Sequence, residues 1–342
     1  MKILVTGGCG FLGSHICENY RKAGDEVVSI DNLTKHELMR TGYDIENARM
    51  YNWKFLKSIG VTLIKGDITN KECLLDAAKD CDFIAHTAAQ PSMTISIENP
   101  HLDIMSNVIG TFNVLETARK YDIPVVNCSS IHVYGNKINE KLKEGVDRFI
   151  LEPPTINEED PILQGEITPL HASKASGELY VQAFIDTYNL KAATFRLTGM
   201  YGPRQFGGED HGWVANFAIR TILGLPIKIF GTDKQVRDIL YASDAAAAFD
   251  AFYNKQVPGI YNIGGGIKNI ISIRECLTLI SEITGIKQDI ELKEKRKGDL
   301  WYFVCDISKA KKILGWEPKT SNKEGISRLI EWIHANRTLF KG

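Results

Sequence analysis

Short apolar runs alternate with longer amphipathic stretches through the first half of the chain. Lys2 to Thr6, Glu26 to Ile30, Val61 to Ile64, Asp82 to His86 and Pro124 to Cys128 are compact and apolar, several of them rich in β-branched residues, and predict strands. Between them, Phe11 to Lys22, Ile45 to Ile59, Lys71 to Lys79 and Leu102 to Arg119 carry apolar residues at helical spacing. Strand and helix alternating in this way predict βαβ units, hence a parallel sheet covered by helices on both faces.

The alternation lapses from about residue 136 to 168, a charged stretch containing Pro153-Pro154 with no sustained periodicity. A loop of that length is more often functional than idle. A helix at Ser173 to Tyr188 and a strand at Lys191 to Arg196 follow. Beyond Gly199 the elements are shorter, with helices expected at Val214 to Leu223, Ser272 to Thr284 and Lys323 to Asn336. This divides the chain into residues 1–198 and a smaller α/β lobe, 199–342, interwoven with the first and lying where ligands bind in open α/β folds.

Composition narrows the partners rather than the fold. The chain has 342 residues, 44% hydrophobic and 24% charged, with 41 Lys and Arg against 42 Asp and Glu. No net field favours nucleic acid or an anionic membrane, so an anionic ligand must be held by local charges and helix ends. Seven cysteines stand without a CxxC pair or a zinc-like Cys/His cluster, predicting reduced thiols and no metal site. Met1 and Lys2 lead straight into Ile3-Leu4-Val5, and no apolar run approaches the ~18 residues of a membrane span. The expected setting is cytoplasmic.

Thr6-Gly7-Gly8-Cys9-Gly10-Phe11-Leu12-Gly13 joins the first strand to the first helix. Its glycines read as GxGxxG (Gly8, Gly10, Gly13) or as GxxGxxG (Gly7, Gly10, Gly13). Either way they permit a tight turn, a close approach of backbone to a pyrophosphate and a helix packed near the strand, with free amides at the helix start, Phe11 and Leu12 among them, facing the anion. Asp31 follows at the end of the second strand, placed to accept hydrogen bonds from the adenosine ribose hydroxyls. A carboxylate repels a 2′-phosphate, and Asn32-Leu33-Thr34 offers no Arg to attract one. The turn therefore predicts a Rossmann domain that binds NAD rather than NADP. Asp67-Ile68 at the third strand end can flank an adenine, and Ala88-Ala89 after the fourth is small enough for the cofactor to pass.

Ser129-Ser130-Ile131-His132-Val133-Tyr134-Gly135 closes the fifth strand, and Ser173-Lys174 opens the next helix. With the glycine turn and Asp31, Asn107, Met200-Tyr201-Gly202-Pro203-Arg204, Arg237-Asp238-Ile239-Leu240-Tyr241 and Leu314-Gly315-Trp316-Glu317-Pro318-Lys319, the chain resembles the extended short-chain dehydrogenase/reductase family of nucleotide-sugar epimerases and dehydratases over nearly its whole length. Gly202-Pro203-Arg204-Gln205-Phe206, Asp210-His211-Gly212-Trp213-Val214, Lys234-Gln235-Val236-Arg237-Asp238, Met93-Thr94-Ile95-Ser96-Ile97 and the long insert are similar, more narrowly, to the CDP-paratose 2-epimerases. The resemblance implies an NAD-dependent epimerase, with C2 of a CDP-linked sugar as the narrower expectation and C4 of a UDP-sugar, or dehydration, as alternatives.

The resemblance also implies a catalytic Ser or Thr with a Tyr-x-x-x-Lys pair, in which the Tyr takes the proton of a sugar hydroxyl and the Lys anchors the nicotinamide ribose. Ser130 and Lys174 match. Four residues before Lys174, however, stands Leu170. Leucine cannot exchange a proton, which leaves three explanations: a substitution that traps a complex, another base, or a binding protein without turnover. His132 and His171 have the right unperturbed range for a base. His132 is two residues beyond Ser130 and on a strand would share its face, whereas His171 is rotated about 100° from Leu170 on a helix. His132 is therefore the preferred substitute base, against the plainer reading of a histidine that only touches substrate or fills space. Tyr134 reads as structural.

Arg204 and Arg237 are candidate diphosphate clamps, since a guanidinium fork matches phosphate oxygens, and Arg296 resembles a further family contact. Gln90, Thr94 and Asn107 are expected at the sugar, Asn107 equally as a helix brace. The resemblance also implies a homodimer through Leu102 to Arg119 and Ser173 to Tyr188.

Overall fold

The computed structural model describes residues 1–34, 36–38, 41, 43 and 45–340. Among them, seven parallel strands form the central sheet: Lys2–Thr6, Glu26–Asp31, Thr62–Lys65, Phe83–His86, Val125–Ser130, Ala192–Leu197 and Gly259–Ile263. From one edge to the other, their order in the chain is seventh, sixth, fifth, fourth, first, second, third. Connections leave the first strand in one direction and the fourth in the other. That reversal opens a crevice at the carboxyl ends of strands one and four, where an open α/β sheet binds its ligand.

Burial explains the arrangement. Ile3, Val5, Phe83, Ala85, Val126 and Phe195 pack on one face of the sheet with Leu12, Ile16, Cys17 and Tyr20 of the first helix, Phe11–Lys22. Leu4, Ile84 and Val125 pack on the other, with Val114, Leu115, Ala118, Val181 and Phe184 of the helices Gly110–Tyr121 and Pro169–Tyr188. Strands apolar on both faces are what a sheet sandwiched between helices requires.

The second lobe has its own core, built on the helices Trp213–Leu223, Ile273–Thr284 and Asn322–Ala335. Its chain returns to the first lobe twice. The helix Ala242–Lys255 packs on the first helix, and Gly259–Ile263 completes the main sheet beside Ala192–Leu197. Residues 1–198 thus do not make the sheet alone.

The irregular stretch after Tyr134 is tied down. It forms a small hairpin, Lys143–Glu144 with Phe149–Ile150, on the second lobe. Arg148 pairs with Glu275 at 2.5 Å, Lys234 with Glu144 at 2.8 Å, and Phe149 stacks on Trp301 with ring centroids 5.5 Å apart. The long helix following it begins at Pro169, four residues before the position expected from sequence. Pro fits a first helical position because the N–H it lacks is unpaired there anyway. Leu102 to Arg119 is likewise not one regular helix. It starts as Pro100–Ile104, passes through a π-type turn at Met105–Ile109 and continues as Gly110–Tyr121. No helix among the described residues is long and apolar enough to cross a membrane.

Candidate active site

The glycine turn lies at the crevice, and its geometry chooses between the two glycine readings. Gly7 has φ +71°, and a Cβ there would come within 2.7 Å of the Ala88 backbone. A Cβ on Gly13 would lie 2.3 Å from the Gly7 carbonyl oxygen. Gly8 instead turns inward, where a Cβ would meet Ser29 Oγ at 2.1 Å. Gly7, Gly10 and Gly13 face the cavity, so GxxGxxG is the pattern that matters. Gly10 precedes the first helix without any side-chain cap, and the first turn carries no acidic residue. The start of that helix presents Phe11 and Leu12 to the cavity, with the positive end of its dipole toward it. This cradle, which side chains would fill, fits a dinucleotide pyrophosphate.

Asp31 stands behind the turn. Its carboxylate accepts from Cys9 N–H at 2.9 Å and Leu33 N–H at 2.8 Å, holding the turn against the second strand. Asn52 donates to the Cys9 carbonyl at 3.0 Å from a helix that offers no sequence signal for such a role. Asn32 donates to Asp67 at 2.7 Å. Burial alone would raise the Asp67 pKa, but hydrogen bonds from Asn32 and Thr69 outweigh it and hold it below the usual carboxylate value. Ile68 is buried in the sheet core, Ala88 packs against Gly7, and Ala89 lines the cavity.

Further along the cavity, Lys174 Nζ donates to the Cys128 carbonyl at 3.0 Å, and burial lowers its pKa. Beneath it runs a buried network. Glu178, one turn along the same helix, pairs with Arg196 at 2.8 Å and accepts from Ser129 Oγ at 2.5 Å. Arg196 in turn donates to the Tyr134 hydroxyl at 2.9 Å, which makes Tyr134 part of the scaffold.

Leu170 is 2% exposed and lines the cavity one turn before Lys174, its N–H donating to Ser96 Oγ at 3.2 Å. Ser130 also lines it, but Ile131–Tyr134 is a 3₁₀ turn rather than a continuation of the strand. The strand-face argument linking Ser130 to His132 therefore fails. Instead, Ser130 Oγ accepts the His132 N–H at 3.2 Å and caps that turn. His132 still reaches the cavity, and its Nδ1 is buried with no hydrogen-bond partner among the described residues. Burial, reinforced by Arg237 and His171, depresses its pKa to about 3, so the ring is neutral. His171 is occupied elsewhere: its Nδ1 accepts the Thr168 N–H at 3.1 Å and caps the long helix.

At the far end, Arg237 and Arg296 both line the cavity. Arg237 donates to the carbonyls of Val236 and Leu300, and burial lowers its pKa. Arg296 lies 3.7 Å from the Phe230 ring centroid, donates to the Glu209 carbonyl at 2.8 Å and sits 3.4 Å from Asp210. Thr94 lines the wall and donates to Asp210 at 3.1 Å.

Arg204, Gln90 and Asn107 make structural contacts, Asn107 in the bracing role expected equally for it. Arg204 touches the cavity edge, but its guanidinium donates to Ser14 at 3.0 Å and Glu18 at 2.6 Å and covers Phe55. It fastens the second lobe to the first helix. Gln90 and Asn107 lie behind the cavity wall, joined to each other, Asp103 and Ser173 in a buried amide network. Trp213, Phe206, Asn216 and Lys228 line the cavity without having been singled out as contacts. The whole cavity measures about 910 Å³ and runs without a break from the glycine turn to Arg296. No group of three His, Cys, Asp or Glu among the described residues is arranged to hold a metal ion.

The NAD dependent epimerase/dehydratase family matches residues 3–264. CDP-paratose 2-epimerase of Salmonella typhi is 33% identical over 97% of this chain and 99% of its own. A putative UDP-glucose 4-epimerase of Methanocaldococcus jannaschii is also 33% identical, over 98% of this chain and 99% of its own. Among solved structures, the Thermus thermophilus UDP-glucose 4-epimerase in complex with NAD superposes with a TM-score of 0.80 at 32% identity, covering 98% of this chain and 99% of that one.

Proposed function

Because this chain belongs to the NAD-dependent epimerase/dehydratase family, we propose that it is an NAD-dependent nucleotide-sugar epimerase that inverts C2 of a CDP-linked sugar. The observation that carries this reading is the unbroken cavity: a pyrophosphate cradle at one end, two arginines at the other, Lys174 and Ser130 between them. A CDP-linked substrate is supported by the likeness to CDP-paratose 2-epimerase and by the segments from Gly202 to Val214 that resemble such enzymes.

NAD, when bound, supplies a hydride acceptor that is regenerated when the hydride returns. The rest falls to the chain. Arg237 and Arg296 hold the diphosphate, and Lys174 holds the nicotinamide ribose from its seat on the Cys128 carbonyl. Ser130, whose oxygen lone pair is taken by the His132 N–H, keeps its own proton to offer a sugar oxygen. Leu170 excludes water and gives no proton. His132 is the group at the cavity proposed to take the sugar hydroxyl proton; burial is the main influence against its imidazolium, and diphosphate bound beside Arg237 offsets the second.

A second reading is favoured by Leu170 itself and by the low basicity of His132: a protein that holds NAD and a nucleotide sugar without turnover. The two separate on one experiment. The purified chain is incubated with NAD and a panel of CDP- and UDP-sugars in deuterated water, beside His132→Ala and Leu170→Tyr. Inversion by the native chain without solvent deuterium at the inverted carbon, lost in His132→Ala, supports the epimerase. Activity appearing only in Leu170→Tyr establishes the binding protein.

A further inference from the structure

The loop that carries Arg296 and Asp299 joins the strand Ile290–Lys293 to Tyr302–Phe303 and forms one wall of the cavity. Much of its seat is the insert after Tyr134. Asn139 grips the loop backbone with both ends of its amide: Nδ2 donates to the Asp299 carbonyl at 2.8 Å and Oδ1 accepts the Trp301 N–H at 2.9 Å. Glu166 accepts the Gly298 N–H at 3.0 Å. Glu166 is itself aligned by Asn136, whose Oδ1 accepts the Glu166 N–H at 2.9 Å. Between these points Gly298 has φ +71°, and a Cβ there would approach Thr168 Cγ2 at 3.1 Å and His171 Cε1 at 3.6 Å. The loop is pressed onto the first turn of the helix that carries Leu170 and Lys174.

We infer that Asn139 and Glu166 are positioning residues for the diphosphate: the insert fixes the Gly298–Trp301 backbone, and through it the distance between Arg296 and the reacting end of the cavity. This rests on the nucleotide-sugar reading of the site. Neither residue lines the main cavity. Both instead line a side cavity of about 300 Å³ with Asn136 and Trp301, which shares Arg296 and Asp299 with the main one. Backbone contacts of this kind act on loop geometry whatever side chains the loop displays, and small misplacements of a guanidinium spoil the hydrogen-bond geometry on which a diphosphate clamp depends. The glycine turn lies at the far end of the cavity and shares none of these hydrogen bonds, so cofactor affinity is independent of them.

Calorimetric titration of the full chain tests this, with CDP, UDP and dTDP as probes in one series and NAD alone in another. In Glu166→Ala and Asn139→Ala the affinity for the preferred diphosphate falls about tenfold, and amides from Gly298 to Trp301 exchange hydrogen faster. NAD affinity and the thermal midpoint stay as in the native chain. Glu166→Gln, whose amide oxygen can still accept from Gly298, recovers most of the loss. Unchanged diphosphate affinity in both alanine variants overturns the inference, as does an equal fall in NAD affinity. A native chain that binds NAD but none of the three diphosphates overturns the nucleotide-sugar reading, and the inference with it.

Discussion

Four histidines in or beside the site have depressed pKa values, and they contribute to how the protein responds to acid. His15, His86 and His132 are each depressed to about 3, burial being the largest cause in every case. An unfolded histidine titrates near 6.5. Between those values the unfolded chain binds protons that the folded chain refuses. The histidines' contribution to stability is therefore complete above about pH 6.5 and is lost progressively as pH falls toward 3, while Asp238, raised to about 6 by burial, acts in the opposite direction below that pH. The thermal midpoint should decline from pH 6.5 to 5, and His132→Gln should flatten that decline; an identical slope in the variant would contradict the assignment. Leu170 was legible from sequence because a spacing of four from Lys174 defines its place. The weak basicity of His132 was not, because it comes first from burial and then from Arg237, both products of tertiary packing that apolar periodicity does not register. For a similar reason the sequence did not separate a sugar contact from a brace at Gln90 and Asn107. Amides beside a site look alike in sequence whether they face ligand or one another.

The long helix Pro169–Tyr188 organises the site at the next scale. Leu170, Lys174 and Glu178 recur every four residues on one face, so the cavity wall, the buried lysine and the buried ion pair share a single rigid body. Glu178 and Arg196 have side chains only 3% and 4% exposed. Removing one charge from such a pair strands the other, typically costing about 3–5 kcal/mol. Glu178→Gln should show that loss in urea unfolding, and a change below about 1 kcal/mol would mean that Arg196 finds other partners. The first helix was readable to its end residues because Gly10 and the buried stripe mark it clearly. Ala242–Lys255 was missed because its run of alanines gives little contrast between faces, and Gly259–Ile263 because five residues carry too little periodicity to declare a strand.

At the scale of the whole molecule, the helices Gly110–Tyr121 and Pro169–Tyr188 leave Tyr121, Leu179, Tyr180 and Tyr188 exposed. Leu179 is 66% exposed, and Tyr180 and Tyr188 are anchored edge-on against Phe112 and Phe184. Large exposed apolar side chains on two packed helices suit self-association. Sedimentation of the native chain should give a dimer that Leu179→Glu converts to monomer, and a monomeric native chain would refute it. The return of Gly259–Ile263 to the main sheet has a different kind of consequence, one of timing. While the chain is being made, Ala192–Leu197 emerges as the outermost strand of an otherwise complete sheet, with one edge unpaired. Its cover lies some 66 residues further on, a delay of roughly 3–13 s at about 5–20 residues per second. For that interval the nascent chain displays an apolar strand edge to every neighbour on the same message.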